Sequence, residues 1–361
     1  MLVMQLYILP AFFLVVLLLG LPLNVLSLWV FSHRLKRWTR SSFFLFNLAL
    51  ADASWLLALP FLVQYHLDGV RWSLGQPFCK AVRLLYHNYF YLSIFFVTCI
   101  SVDRYLAIVH PLRALSLMGR RQVCLLCAAI WVVTVVFSYP VVEMSLTQHC
   151  PLGNRTICTL YVFLEDTGES LPFSLCCSCT GFLLPFTAIC YCCVCSVREL
   201  RARQTFPYRH CRKRRLTQVL SAVLVLFTLL YLPYHLTRNA AIVIRAIYPG
   251  NPVAWKPADL AFALEMCLCS LNTCVNPFFS CFVGRRFRQE FWGTFACRSH
   301  RHSDRRLVEP LGGRRLQIEV HTKAAILPLS VTEFFMAKTM PTKEENWRCT
   351  YTERPVREPT L

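Results

Sequence analysis

Seven stretches of about twenty mostly apolar residues, the length that spans a bilayer's hydrocarbon, constrain this chain more than any other feature. They run from Leu6 to Phe31, Phe43 to Tyr65, Val82 to His110, Val123 to Val142, Leu171 to Val197, Leu216 to Ile242 and Pro257 to Val283. Inside lipid no water is at hand for backbone N–H and C=O groups, so each stretch must satisfy them internally as a helix. The expected fold is therefore an all-α membrane protein, a seven-transmembrane helix bundle whose two ends lie on opposite sides. Composition agrees, since 56% hydrophobic residues against 16% charged cannot all be hidden from water in a soluble domain. The third stretch shows the pattern most sharply. Arg83 and Arg104 stand 21 positions apart, about 32 Å of helix, which sets one arginine at each membrane face.

Basic residues in short connections favour the cytoplasm. One set of loops carries Arg34, Lys36, Arg37 and Arg40, then Arg113, Arg120 and Arg121, then Arg198, Arg201, Arg203, Arg209, Arg212, Lys213, Arg214 and Arg215. The opposite set is poorer in them and holds Asp68, Glu165, Asp166 and Glu169. The N-terminus is thus expected outside and the C-terminus inside. The net charge of +19 is largely this topology signal plus a basic tail, and because it is divided among membrane loops it does not form a nucleic-acid surface. The first stretch lacks a basic start and a cleavage site and contains Pro22 and Asn24, so it is read as a retained helix and not a secretory signal.

Most of the 20 cysteines lie within apolar stretches, as in Cys176, Cys177 and Cys179, and are read as small buried hydrophobes. Cys79 differs, because it sits at the outer end of the third helix, in an oxidising compartment. A disulfide from Cys79 to Cys158, or to Cys150, would tie the loop after helix four over the mouth of the bundle. Asn154, in the sequon Asn154-Arg155-Thr156, falls in that same loop and is a candidate glycosylation site.

Asn24 in helix one, Leu48-Ala49-Leu50-Ala51-Asp52 in helix two, Asp103-Arg104-Tyr105 closing helix three, Trp131 in helix four, Pro185 in helix five, Leu232-Pro233 in helix six and Asn276-Pro277 in helix seven form an ordered set of landmarks. Together they resemble the rhodopsin-like G-protein-coupled receptors, over about residues 1 to 295. The resemblance implies a plasma-membrane receptor, with a heterotrimeric G protein, arrestin and receptor kinases as partners. It implies an activation switch of Asp103, Arg104, Tyr105, Phe227, Tyr231, Pro233, Asn276 and Pro277. It also implies a polar core of Asn24, Asp52, Ser93, Asn272 and Asn276, which in the family holds an allosteric sodium ion at the aspartate. The alternative for Asp52 is a polar knot that only fixes helix packing, since a buried charge must be paired or solvated. Asp103 beside Arg104 suits an ion pair that restrains the arginine until a partner protein competes for it. Pro233 gives helix six a kink, because a mid-helix proline removes a backbone donor and clashes with the preceding turn.

Three positions depart from the family pattern. Ser280 and Cys193 stand where helices seven and five usually supply tyrosines, and Tyr231 replaces the usual tryptophan. A water-mediated link between two tyrosines is therefore not expected, and basal activity can differ from the family norm.

Polar residues in the outer half indicate the ligand. Arg83, Tyr86, His87 and Tyr91 recur at three- and four-residue steps, one stripe of helix three. Tyr234, His235 and Arg238 follow Pro233 on helix six. Two arginines with histidines at similar depth make a cationic cup, and the guanidinium fork suits carboxylate or phosphate. The string Pro233-Tyr234-His235-x-x-Arg238 is similar to helix six of the purinergic nucleotide receptors and their neighbours for succinate, oxoglutarate and cysteinyl leukotrienes, all acidic ligands. Helix seven offers Phe262, Glu265 and Met266 where many of those receptors place another cation. Arg245 and Lys256, in or near the last outer loop, are candidate sources of further charge or ordinary solvated loop residues.

Residues 284 to 295 alternate basic and apolar positions at helical spacing and are expected to form an amphipathic eighth helix on the inner leaflet, with Cys297 beyond it as a palmitoylation site. Residues 296 to 361 are expected to be a disordered cytoplasmic tail. Neither an internal repeat, a metal-ligand spacing, a phosphate loop nor a nucleophile elbow is present, which argues against a transporter or an enzyme. A light-sensing receptor needs a Schiff-base lysine in helix seven, and none follows Lys256 there. The function expected is a receptor for a small anionic ligand, with a non-coupling scavenger of the same ligand class as the rival.

Overall fold

The computed structural model describes residues 4–116, 118–143, 147–150, 155–158, 167–202, 210–249, 251–284 and 286–294. Seven helices are long and apolar enough to cross a membrane: α1 (Leu6–Arg34), α2 (Arg40–Leu67), α3 (Gly75–Val109), α4 (Arg120–Pro140), α5 (Ser170–Ala202), α6 (Thr217–Ile247) and α7 (Val253–Val283). All belong to one compact unit. Among the described residues the only strands are β1 (Thr147–Cys150) and β2 (Arg155–Cys158), an antiparallel hairpin that pairs Thr147 with Cys158 and Cys150 with Arg155.

Local chemistry sets the helix ends. Thr39 caps α2 through a reciprocal pair of side-chain bonds with Ser42, and Asn251 caps α7 by accepting from the N–H groups of Val253 and Ala254. α3 begins a full two turns before the apolar stretch does. Its first residues include Lys80, which is helical although it lies outside the apolar stretch.

Prolines set the irregularities, and neighbours repair them. Pro277 has no N–H, so the Thr273 carbonyl four residues back lacks its helical donor. The Asn24 amide of α1 donates to it at 2.8 Å. Upstream of Pro185, α5 widens into a π-helical turn, Cys179–Leu183. That bulge brings Gly181 against α3 so closely that a Cβ would sit 2.8 Å from Cδ1 of the Tyr91 ring and 3.2 Å from Phe137.

The hairpin is fastened to the bundle by the Cys79–Cys158 disulfide, with Cα atoms 5.8 Å apart. Thr156 accepts from Trp72 N–H at 2.7 Å, and the Tyr65 hydroxyl donates to the Cys158 carbonyl at 3.3 Å. Of the two candidate partners for Cys79, Cys158 is the one bonded. Cys150 lies at the turn end of the hairpin, opposite Arg155.

Residues 286–294 are helical. Phe287 and Phe291 are buried, and the Phe287 ring stacks on Phe31 of α1 with centroids 4.4 Å apart. Phe287 thus packs this segment against α1. Asn154, Cys297 and the expected tail from 296 onward lie outside the described residues.

Candidate functional site

At the disulfide end, the residues singled out on α3 and α6 come together. Tyr86, His87, Tyr91, Tyr234, His235 and Arg238 are buried, and Arg83 is half-buried. Phe90 sits between the two helices, its ring centroid 4.4 Å from Tyr234 and 5.7 Å from His235. Tyr91 links the histidines, 4.7 Å from His87 and 6.4 Å from His235. Arg238, Arg83 and His235 all lie within electrostatic reach of His87.

Each histidine is held by a serine from another helix. His87 Nδ1 lies 2.8 Å from Ser138 Oγ of α4, and His235 Nδ1 lies 3.0 Å from Ser178 Oγ of α5. Asn239 then donates to Ser178 at 2.9 Å and accepts from Ser174 at 2.6 Å, a polar ladder between α5 and α6. With Nδ1 engaged, Nε2 of both rings is buried without a hydrogen-bond partner among the described residues. Sequence reasoning missed these serines, because a serine within an apolar helix carries no signal of what it faces.

The seventh helix adds an aromatic wall, with Phe262 5.4 Å from Tyr234 and Met266 buried behind it. Arg245 is not a solvated loop residue. It lies within α6, buried, with its guanidinium 2.6 and 2.7 Å from the two carboxylate oxygens of Asp259 on α7 and under the Trp255 ring at 5.4 Å. Its charge is spent on that pair, while Lys256 is exposed.

Beneath the cup, Tyr231 contacts Phe90 at 5.2 Å and Phe227 at 4.7 Å. The expected polar core divides into three parts. Asp52 is fully buried, and its two carboxylate oxygens accept from the Asn276 amide at 3.1 and 2.9 Å. Ser93 and Asn272 bond with Tyr231: the tyrosine donates to Ser93 Oγ at 3.0 Å, and Asn272 Nδ2 donates to Ser93 Oγ at 2.7 Å and to the tyrosine oxygen at 2.5 Å. Asn24 spends its amide on the Thr273 and Gly20 carbonyls. Asn276 thus stands directly beside Asp52, while Ser93 and Asn272 close on the tyrosine that replaces tryptophan.

At the opposite end, Asp103 is the hub. It pairs with Arg104 at 3.1 Å and with Arg40 of α2 at 3.1 Å, and it accepts from Ser41, which also accepts from Arg104. The sequence had given Arg40 only a topological meaning. Tyr105 approaches His110, its hydroxyl 3.4 Å from Nε2, and packs against Tyr191 of α5. Trp131 of α4 donates to Asn47 of α2 at 3.0 Å. Ser280 returns its hydroxyl to the Asn276 carbonyl of its own helix, and the Cys193 thiol faces the Leu220 carbonyl at 3.7 Å.

The chain matches the 7 transmembrane receptor (rhodopsin family) over residues 23–279. Among curated proteins it is 29% identical to purinoceptor 4 of Xenopus laevis, over 94% of this chain, and it spans 62% of that protein's length. It is 32% identical to the human uracil nucleotide/cysteinyl leukotriene receptor, over 77% of this chain and 74% of that one. To purinoceptor 3 of Meleagris gallopavo it is 31% identical, over 78% of this chain and 86% of that one. Seven membrane-length helices, the bridged hairpin and these relatives agree, and the chain belongs to the rhodopsin family of G-protein-coupled receptors, in its purinergic branch, a receptor and not an enzyme.

Proposed function

We propose that this receptor takes a small anionic extracellular ligand into the cup between α3, α5, α6 and α7 and activates a heterotrimeric G protein from the opposite face. The observation that carries the reading is that Arg83 and Arg238, on separate helices, both lie within electrostatic reach of His87, beside a buried aromatic wall. Two guanidinium forks offer donors suited to carboxylate or phosphate oxygens, and the tyrosine and phenylalanine rings offer faces for a base or an acyl chain. Relatives named for purines, uracil nucleotides and cysteinyl leukotrienes support an acidic ligand. Since Arg245 is committed to Asp259, the range extends to carboxylate metabolites and acidic lipids as well as nucleotides.

The disulfide end faces outward, because disulfides persist in an oxidising compartment, and Arg34, Arg37, Arg40, Arg113, Arg120, Arg121, Arg198 and Arg201 mark the cytoplasmic end. An anion held between Arg83 and Arg238 draws α6 toward α3 above Pro233. The kink turns that motion into a swing of the cytoplasmic half of α6. Ligand and G protein each favour the open state from its own side, a population shift in which Arg104 exchanges Asp103 and Ser41 for the partner protein. Arrestin and receptor kinases would read the same open face.

A second reading has one observation in its favour. Ser280 and Cys193 both spend their polar groups on backbone carbonyls, so neither supplies the cross-bundle hydroxyl that helps hold an open state, as suits a scavenger that binds without coupling. Cells expressing the receptor, read for calcium and cyclic AMP against nucleotides, small carboxylates, fatty acids and leukotrienes, separate the two. A response to an acid that disappears in Arg83→Ala and Arg238→Ala at normal surface level supports the coupled receptor. Binding of the same acid without any response supports the scavenger, and activation by neutral or cationic ligands alone overturns the anionic cup.

A further inference from the structure

The polar core of this receptor is closed by a protein hydroxyl. We infer that Tyr231 takes the place of a bound sodium ion as the tie between α3, α6 and α7, and that the receptor is insensitive to sodium. The inference rests on counting lone pairs. A hydroxyl oxygen has two acceptor sites, and Ser93 Oγ uses both, one for Tyr231 and one for Asn272. The Tyr231 oxygen gives its proton to Ser93 and accepts from Asn272. Asn272 and Asn276 both turn their amide nitrogens inward, toward the Ser93–Tyr231 pair and toward Asp52. An N–H group cannot ligate a cation.

The side-chain oxygens outside the Ser93–Tyr231 knot are those of the Asp52 carboxylate, Asn24 Oδ1, which accepts no bond, and Oδ1 of Asn272 and Asn276, on the far side of amides whose nitrogens turn inward. Both carboxylate oxygens already accept from Asn276. A monovalent cation, which must replace several water oxygens on entering a dry interior, finds too few here. The donor set around Asp52 does not fit the ion that the family resemblance implies.

The tyrosine is also where this core meets the cup. Its ring packs against Phe90, which touches Tyr234 and His235, and against Phe227 below. Tyr231 is therefore a positioning residue. Its hydroxyl holds α6 to α3 and α7 directly beneath the ligand groups, so movement of the cup wall strains those bonds without displacing an ion.

The test needs no ligand. The purified full-length receptor is melted in sodium chloride and in choline chloride of equal ionic strength. A cation that binds only the folded state raises the midpoint according to its concentration over its dissociation constant. The wild type is expected to melt at the same temperature in both salts. Tyr231→Phe leaves one acceptor site on Ser93 open and is expected to gain a sodium-specific rise of several degrees, which Asp52→Asn in the same chain removes. Tyr231→Trp, which also lacks the hydroxyl, serves the same purpose if the phenylalanine variant does not fold. A sodium-specific rise in the wild type that Asp52→Asn abolishes overturns the inference, and so does the absence of a sodium effect in both tyrosine variants.

Discussion

Replacing Asp259 by alanine strands Arg245, and the structure sets the size of the penalty. The two side chains are 10% and 6% exposed, and both carboxylate oxygens lie within 2.7 Å of the guanidinium. Removing one partner of a buried ion pair costs about 3–5 kcal/mol, because the other charge stays desolvated. Here the pair sits near a helix end, which favours the lower bound, and the Trp255 cation–π contact at 5.4 Å is present with and without Asp259, so it does not offset the loss. A loss of about 3 kcal/mol follows for Asp259→Ala, or roughly 6–12 °C in melting midpoint at about 2–4 °C per kcal/mol. The assay is thermal unfolding of the purified receptor for Asp259→Ala, Arg245→Leu, and an Asp259→Leu, Arg245→Leu double variant. The double variant should recover most of the loss, because an apolar pair leaves no stranded charge. Single losses under about 1 kcal/mol that simply add in the double variant would refute the claim that this pair is buried and coupled.

Gly181→Ala pushes a methyl into the Tyr91 and Phe137 rings. Overpacking of this kind costs about 1–3 kcal/mol, and the variant should melt lower and bind more weakly, since Tyr91 is part of the cup; an unchanged melting curve would contradict the tight α5–α3 approach. Cys158→Ser opens a loop spanning 79 positions, worth about 4 kcal/mol in chain entropy, and should sharply reduce surface expression while Cys150→Ser does not. Equal effects of the two serines would overturn the observed pairing.

Much of this architecture was legible because lipid narrows the choices. Each apolar stretch had to be a helix, and Asp103 and Arg104 form the ion pair that their adjacency suggested. Helical spacing sets Arg83 with His87 on one face of α3 and His235 with Arg238 on one face of α6, and matching membrane depth and the family resemblance suggested that the two sets meet. What stayed hidden depends on contacts between distant segments. Arg40 reads in sequence as one more cytoplasmic charge, and only the packing of α2 on α3 makes it a partner of Asp103. Arg245 and Asp259 lie on either side of a turn and become a pair only when α6 and α7 are set side by side. Tyr231 was recognised as a departure, but its hydroxyl's claim on Ser93 and Asn272 needs three helices in register. The π-helical turn at Cys179–Leu183 has no marker except Pro185 downstream of it. Phe287 and Phe291 show the amphipathic pattern correctly, and only the position of Phe31 reveals what they cover.

The most direct test is the concentration–response curve of the receptor's most potent acidic agonist on wild type, Arg83→Ala, Arg238→Ala and Arg238→Lys, at matched surface expression. Truncating one side of a desolvated charge-assisted contact costs about 2–5 kcal/mol, so each alanine variant should lose about 30-fold or more in potency, with lysine recovering part of it. Wild-type potency in both alanine variants would show that no anion is held between α3 and α6.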